Sequence, residues 1–400
     1  MIKNLFTLLS KHYLFLFILA TAACLRLLNP TFAQPILYVN GDEPPNYQGA
    51  LYILANRSLI VRTAIYPPLG SYLQIPFLLW TFFCALIIGG AHTIQELRLL
   101  VITQPGYFLF VPRIISGVLG VATIYILYRT VLALSPKNKT LALIASSFLT
   151  FSFNHGQISH LGRPWASAMF FFGLTLWFTI KSLGGAKNQQ WYSAILAGIC
   201  ASISYGIHQG GIFAFILFLL VRFVEIASTA NFATAFQNKI TWLGGFIGGM
   251  GIIGIRILEI GNPTAQWFPY FKQFPPQYPL AQQIWELFLD SNLLYNIKQL
   301  FILEPGIFIF SLIGLIGAHP WKKPYTALFA YTVFAFLAIG ASFKQPRYIL
   351  PALIPASLFA AQGVLYCYKR ITTQLFKIGF IGISFILVSF NLTAWNILFN

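Results

Sequence analysis

A chain of 400 residues that is 58% hydrophobic and only 8% charged cannot bury its apolar side chains in one soluble core and still present a wettable surface. Its formal charge of +17, from 25 basic against 8 acidic residues, would suit nucleic acid in a soluble protein; in a chain this apolar it instead fits loops that follow the positive-inside rule and meet anionic headgroups, so nucleic acid is excluded as a partner. The apolar runs are continuous rather than alternating, which excludes a barrel and predicts an all-α polytopic membrane protein.

In chain order, the first span is expected over 12–28. Lys3 and Lys11 precede it and Thr31-Phe32-Ala33 imitates a signal-peptide cleavage site, but Arg26, late in the apolar run, is foreign to such a peptide, so the span is expected to be retained. Arg26 itself is expected to snorkel to the interface. Residues 29–66 then form a first extracytoplasmic loop. It carries Asp42-Glu43, the only adjacent pair among the eight acidic residues, and the following Pro44-Pro45 argues for extended backbone at that pair. An amphipathic stretch over 47–55 follows, then Arg57, Arg62 and Tyr66-Pro67-Pro68-Leu69.

The run 68–90 is long enough to cross a bilayer. Counting it as a crossing would scramble the basic loops, so the region 68–112 is expected to be re-entrant or paired, with no net crossing before Arg113. Further spans are expected near 108–128, 140–154, 164–181, 191–207, 209–227, 240–256, 305–318, 326–341, 349–367 and 378–398. The whole chain, 1–400, is then one transmembrane domain of about eleven helices (range 10–13). Lys3, Lys11, Arg129, Lys137, Lys139, Lys181, Lys187, Arg222, Lys239, Lys322, Lys323, Lys369, Arg370 and Lys377 all fall on the cytoplasmic side. A second extracytoplasmic loop, 257–304, is dense in aromatics and proline, as in Gln266-Trp267-Phe268-Pro269 and Phe274-Pro275-Pro276.

His155 and His160 flank an outer turn before Arg163, and their spacing of five suits one helix face poorly. His208, in Gly206-Ile207-His208-Gln209-Gly210-Gly211, falls on the same side. With Tyr66 these three imidazoles are expected to line a cavity. The four cysteines show no ligand or disulfide spacing. Without a cluster of carboxylates and imidazoles no tightly held metal and no cofactor are predicted, loose divalent binding being the most the pattern allows.

The order of these elements resembles that of the C-type (GT-C) glycosyltransferases, in particular the family 39-like branch with the protein O-mannosyltransferases and bacterial aminoarabinose transferases. In that branch an Asp-Glu pair follows the first span, juxtamembrane helices follow the pair, and Pro-Pro-Leu opens the next apolar run. Pro112-Arg113-Ile114-Ile115, Gly162-Arg163-Pro164 and Pro346-Arg347-Tyr348-Ile349-Leu350-Pro351 are similar to three further elements of the branch. Together the matches run over about residues 20–360. The chain departs from the pattern twice: Tyr66 stands where many members place Lys or His, and Trp165 where Arg-Pro is commonly followed by Asp.

The resemblance implies a GT-C-like bundle with juxtamembrane helices in the first outer loop. It also implies transfer of a hexosyl or pentosyl unit from a polyprenyl-phosphate donor to a hydroxyl of a protein, lipid or glycan acceptor, with inversion, outside the plasma (inner) membrane. Asp42 would be the general base and Glu43 would shape the site or bind acceptor. Arg62, Arg113, Arg163, Arg347 and Lys344 would meet the leaving phosphate. Two rivals remain. A secondary transporter would show ionisable residues at mid-membrane and two matching halves, whereas these spans hold almost no acids. A polysaccharide polymerase or ligase of another membrane fold would lack the Asp-Glu pair.

Overall fold

The computed structural model describes residues 2–32, 43–58, 60–61, 66–88, 90–259, 292–317, 325–342 and 346–389. Among the described residues the secondary structure is helical throughout. The helices are α1 (Ile2–Leu27), α2 (Pro44–Asn56), α3 (Leu69–Ile88), α4 (Ile94–Thr103), α5 (Phe110–Leu134), α6 (Lys139–Phe151), α7 (Phe153–His160), α8 (Pro164–Leu183) and α9 (Lys187–Ile207). They continue with α10 (Ile212–Thr229), α11 (Phe232–Phe236), α12 (Lys239–Glu259), α13 (Asn292–Leu303), α14 (Pro305–Gly317), α15 (Tyr325–Ser342), α16 (Leu350–Arg370) and α17 (Gln374–Ser389). Short 3-10 turns, Pro105–Leu109, Gln209–Gly211 and Pro346–Ile349, lead into α5, α10 and α16.

Six of these helical stretches are long and apolar enough to cross a membrane, and α13 with α14, bent by 109° at their junction, makes a seventh if the pair is one span. Four shorter apolar helices stand beside them: Tyr13–Leu27, Lys139–Phe151, Tyr325–Leu337 and Phe376–Leu387. This is the build of a multi-pass integral membrane protein. Each expected run is largely helical over its described residues, with a break at Ser152 inside 140–154, but 191–207 is neither among the six nor among the four shorter helices. Its helix α9 opens on Lys187-Asn188-Gln189-Gln190 and carries Ser193, Ser202 and Ser204, and it packs among α8, α10 and α12 rather than relying on apolarity.

The ends of the helices sort into two levels. At one end Arg26 reaches the last carbonyls of α6, Pro30 touches the head of α5, and Gly162 touches Glu43. At the other, Ser135 after α5 bonds Tyr325 at the head of α15, and Arg222 joins the tail of α8 to the head of α12. Lys137, Lys139, Lys181, Lys187, Lys239, Lys369, Arg370 and Lys377 sit at this second end, hereafter the basic end. The first residues of α3 and α5 line one small cleft (Gly70, Leu73 and Gln74 against Pro112, Ile115 and Ser116), so the stretch from α3 to α5 leaves the site end and returns to it. Arg222, expected on the cytoplasmic side, sits at the basic end but is buried: it donates to Ser182 O (2.6 Å), Ser182 Oγ (2.8 Å), Thr241 Oγ1 (2.9 Å) and Asn238 Oδ1 (3.1 Å), because helix-end carbonyls inside a bundle need donors.

Where lipid supplies no hydrophobic drive between helices, close packing must hold them together, and small residues allow the approach. α14 and α16 cross at Gly314 and Gly363. A Cβ on Gly314 would strike the Phe359 carbonyl and lie 3.0 Å from Gly363 N, and one on Gly363 would strike the Phe310 carbonyl. α9 and α12 meet in the same way at Gly198, Gly244 and Gly248. Gly314→Val is therefore expected to cost about 1–3 kcal/mol through overpacking, read as a lowered melting temperature in detergent. Gly379→Ala, whose Cβ would meet nothing within 4 Å, should melt with the wild type.

Candidate active site

Glu43 and Arg113 are 0% and 1% exposed, and they form a forked ion pair. Arg113 Nε donates to Glu43 Oε1 (2.9 Å) and Nη2 to Oε2 (3.0 Å), while the backbone N–H of Gly162 donates to Oε1 (2.8 Å). The remaining arm, Nη1, donates to the carbonyls of Phe32 (2.6 Å) and Pro30 (3.2 Å), and the guanidinium lies 4.0 Å from the centre of the Phe32 ring. Four separate parts of the chain are thus fastened at one point: the exit of α1, the head of α2, the head of α5 and the loop before α8. Gly162 is confined there, since a Cβ would lie 2.9 Å from Pro112.

This arrangement corrects the expectation of extended backbone at Glu43. Glu43 is not extended; it has helical backbone (φ −78°, ψ −46°) directly before Pro44, the first residue of α2. Proline suits the first turn of a helix but disfavours helical backbone in the residue ahead of it, and the ion pair holds Glu43 there. Arg113, expected to meet a donor phosphate, has its guanidinium turned into protein and engaged on all three nitrogens. Asp42, one residue before Glu43, lies outside the described residues, as do Arg62 and Lys344.

A second buried cation adjoins the first. Arg26, expected to snorkel, is 1% exposed. It donates to the carbonyls of Leu149 (3.0 Å) and Thr150 (3.1 Å) in the last turn of α6, where the helix dipole is negative, and contacts His155 Nδ1 at 3.0 Å. Glu304 is placed with complementary logic. It sits at the bend between α13 and α14, 2% exposed, and accepts from Ser152 Oγ (2.7 Å) and the Asn154 N–H (2.8 Å), capping the N-terminus of α7. Glu304 is not among the residues singled out from the sequence; an acid directly before the proline that opens an apolar run was the available signal.

His155 and His160 lie inside this network rather than on an open cavity wall, 0% and 4% exposed. His160 stacks on Phe32 with ring centroids 5.1 Å apart. Burial and then the nearby Arg113 charge push its pKa down to about 4; burial and then Arg26 push that of His155 well below the usual value. Both rings are neutral at pH 7.

Tyr66 and His208 meet elsewhere. The His208 ring lies 3.8 Å from Trp165 and 5.1 Å from Tyr66, and its Nδ1 accepts the Gly210 N–H at 2.9 Å. Trp165 in turn meets Tyr348 edge-on at 5.2 Å, and the guanidinium of Arg347 lies 5.6 Å from the Tyr348 ring. The two positions at which the chain departs from the family pattern, 66 and 165, therefore pack on one imidazole. Burial and then the charge of Arg347 push the pKa of His208 down to about 3. Arg163 occupies the N-cap position of α8 without a side-chain cap hydrogen bond and lines the small cleft together with Asn46, Gly70, Gln74 and Ser116. Among the described residues no group of three His, Cys, Asp or Glu stands close enough to hold a metal ion.

The fold is that of the GT-C glycosyltransferases. The chain superposes on ArnT from Cupriavidus metallidurans bound to undecaprenyl phosphate with a TM-score of 0.60, at 13% identity over 94% of this chain and 63% of that one. It superposes on the Archaeoglobus fulgidus oligosaccharyltransferase in the apo form with a TM-score of 0.58, at 15% identity over 94% and 54% of the two chains. For the same organism's oligosaccharyltransferase AglB in complex with an inhibitory peptide and a dolichol-phosphate the values are 0.57, 14%, 96% and 56%. The chain thus spans 54–63% of the length of these three structures. No protein-family model matches the sequence, and no curated protein does.

Two outcomes follow from the geometry. Arg113→Met strands the Glu43 carboxylate in a dry site and is expected to cost about 3–5 kcal/mol, whereas Glu43→Met/Arg113→Met leaves no buried charge and should cost less than Arg113→Met alone; a double-mutant cycle on unfolding in detergent reads the difference. The second concerns acid. Above pH 6.5 His208 is neutral folded and unfolded and has no effect, but between pH 6.5 and about 3 only the unfolded chain binds its proton, so stability falls as pH falls. His208→Asn keeps an acceptor for Gly210 and removes the titration, and its melting temperature should decline less between pH 6.5 and 4.5 than that of the wild type.

Proposed function

We propose that this chain is a membrane glycosyltransferase that moves a sugar from a polyprenyl-phosphate donor to an acceptor hydroxyl, with inversion, at the end of the bundle opposite its basic loops. The reading places that end outside the plasma membrane, since loops rich in Lys and Arg stay in the cytoplasm. The observation that carries it is the fastening of Glu43: a buried fork and a backbone N–H fix the residue next to Asp42 against the heads of α5 and α8. A buried ion pair of this kind holds the chain on either side of it still, which suits the residue next to a catalytic base. The GT-C fold, and solved structures of that fold with undecaprenyl phosphate and dolichol-phosphate bound, support the donor class.

In this reading Asp42 takes the proton of the acceptor hydroxyl as its oxygen attacks the anomeric carbon from the face opposite the phosphate. The carbon–oxygen bond to the lipid phosphate breaks in the same displacement, and the phosphate leaves without a protonating acid because fixed cations meet its charge. Arg347 and Arg163, half-buried at this end, are assigned to that charge, with Arg62 and Lys344 as further candidates. Arg113 is reassigned from phosphate contact to positioning the base. Glu43 shapes the site through the same pair. His155, His160 and His208, neutral at working pH, contribute hydrogen bonding and packing rather than charge.

The test is label transfer from a panel of radiolabelled polyprenyl-phosphate sugars to a membrane extract. Folded Asp42→Asn is expected to lose at least about 100-fold relative to wild type, the effect of removing a general base. Equal transfer by the two proteins would remove Asp42 from the mechanism. No transfer by folded wild type across the panel would overturn the enzyme reading.

A further inference from the structure

Away from the site, α1, α6, α16 and α17 do not close on one another. Between them lies a cavity of about 620 Å³, open to the side. Its wall is hydrocarbon: Leu14 and Phe17 from α1, Leu143 and Phe148 from α6, Leu365 from α16 and Phe380 from α17. The space exists because short side chains, Thr21, Ser147 and Ser384, face it. Ser147 satisfies its own hydroxyl by donating to Leu143 O at 3.0 Å, so it asks nothing polar of an occupant. A void of this size with no occupant forfeits the contacts of every lining atom, so a flexible hydrocarbon chain is the fitting guest.

The charge around the cavity selects the guest further. Its wall includes Thr140 and Tyr368, which lie at the basic end of the bundle. Thr140 follows the exposed Lys139, with Lys137 just ahead, and Tyr368 is followed by the exposed Lys369 and Arg370. Across the mouth, Lys377 of α17 places its ammonium 5.3 Å from the Tyr368 ring, and Arg370 lies 4.1 Å from that of Tyr366. The stretches 13–25, 134–142 and 364–381, from which the wall and its basic end are drawn, contain no Asp or Glu. An apolar slot between helices with a purely cationic rim is complementary to one chemistry, an anionic phospholipid with its chain in the slot and its phosphate among the lysines.

We infer that the groove between α1, α6, α16 and α17 is a binding site for an anionic phospholipid, with Lys139 and Lys377 at its headgroup. The site is separate from the proposed donor site, whose assigned cations stand at the other end of the bundle; only its distinction from a polyprenyl-phosphate site rests on the glycosyltransferase reading. The basic rim also argues against the tail of a polyprenyl-phosphate donor as the resident, because that lipid's phosphate would belong at the opposite end.

The experiment is native mass spectrometry of the full chain, delipidated in detergent and offered equimolar phosphatidylglycerol and phosphatidylcholine of identical chains. Phosphatidylglycerol is expected to be retained about tenfold over phosphatidylcholine, and Lys139→Gln/Lys377→Gln to bring the two to within about twofold. Both residues lie at helix ends and their loss leaves the core intact. Lys187→Gln, at the same end but on α9, should keep the preference. Ser147→Phe, which fills the slot, should reduce retention of both lipids. Equal retention by the wild type, an unchanged preference in the double variant, preferential uptake of undecaprenyl phosphate, or a dimer that Ser147→Phe dissociates would each overturn the inference.

Discussion

A carboxylate and a guanidinium removed from water together each lose several kcal/mol of hydration, and only good geometry with every lone pair and N–H engaged recovers it. Glu43 and Arg113 approach that condition through the fork, the Gly162 N–H and two carbonyls of the loop after α1, which engage both carboxylate oxygens and all three guanidinium nitrogens. Because the partners come from distant parts of the chain, the pair can form only when α1, α2, α5 and α8 are all seated. The helical backbone of Glu43 ahead of proline, the direction in which α2 leaves the bundle and the confinement of Gly162 all derive from it. The other features of the site end can vary in detail, but they are built on this joint.

The second joint works on helix ends rather than on a pair of side-chain charges. α6 stops and α7 starts at Ser152, leaving carbonyls exposed on one side of the break and N–H groups on the other. Inside a membrane bundle neither set can turn to water. Arg26 satisfies the carbonyls and Glu304 the N–H groups, so opposite charges are placed at the two poles of one broken helix. Since Glu304 also marks the bend between α13 and α14, the C-terminal half of the chain is pinned to the same corner in which His160, at the end of α7, stacks on Phe32.

What could be read from the sequence follows from range. Apolar runs are local, so the helices appeared where hydropathy put them, and the return of the 68–112 region was legible from the sign of the loops that follow it. α9 was placed correctly for an incomplete reason, since its polar face is sheltered by neighbours that sequence alone does not name. The partners of Glu43 lie 70 and 119 residues away, and nothing local distinguishes a carboxylate that will be clamped from one that will be solvated. Arg26 and Arg222 were read as interface cations for the same reason: near the end of an apolar run, a snorkelling arginine and a buried helix-end donor have the same sequence signature. Tyr66 and His208 were expected to line one cavity and do meet, but Trp165, seen only as a missing acid, proved to be the ring between His208 and Tyr348.

Tyr66 and Trp165 face the same His208 ring, at 5.1 Å and 3.8 Å, and burial together with the charge of Arg347 keeps that imidazole neutral. A charged side chain at only one of the two positions would stand beside a ring that cannot answer it, so the two positions are coupled: a charge at either is tolerable only with a countercharge at the other.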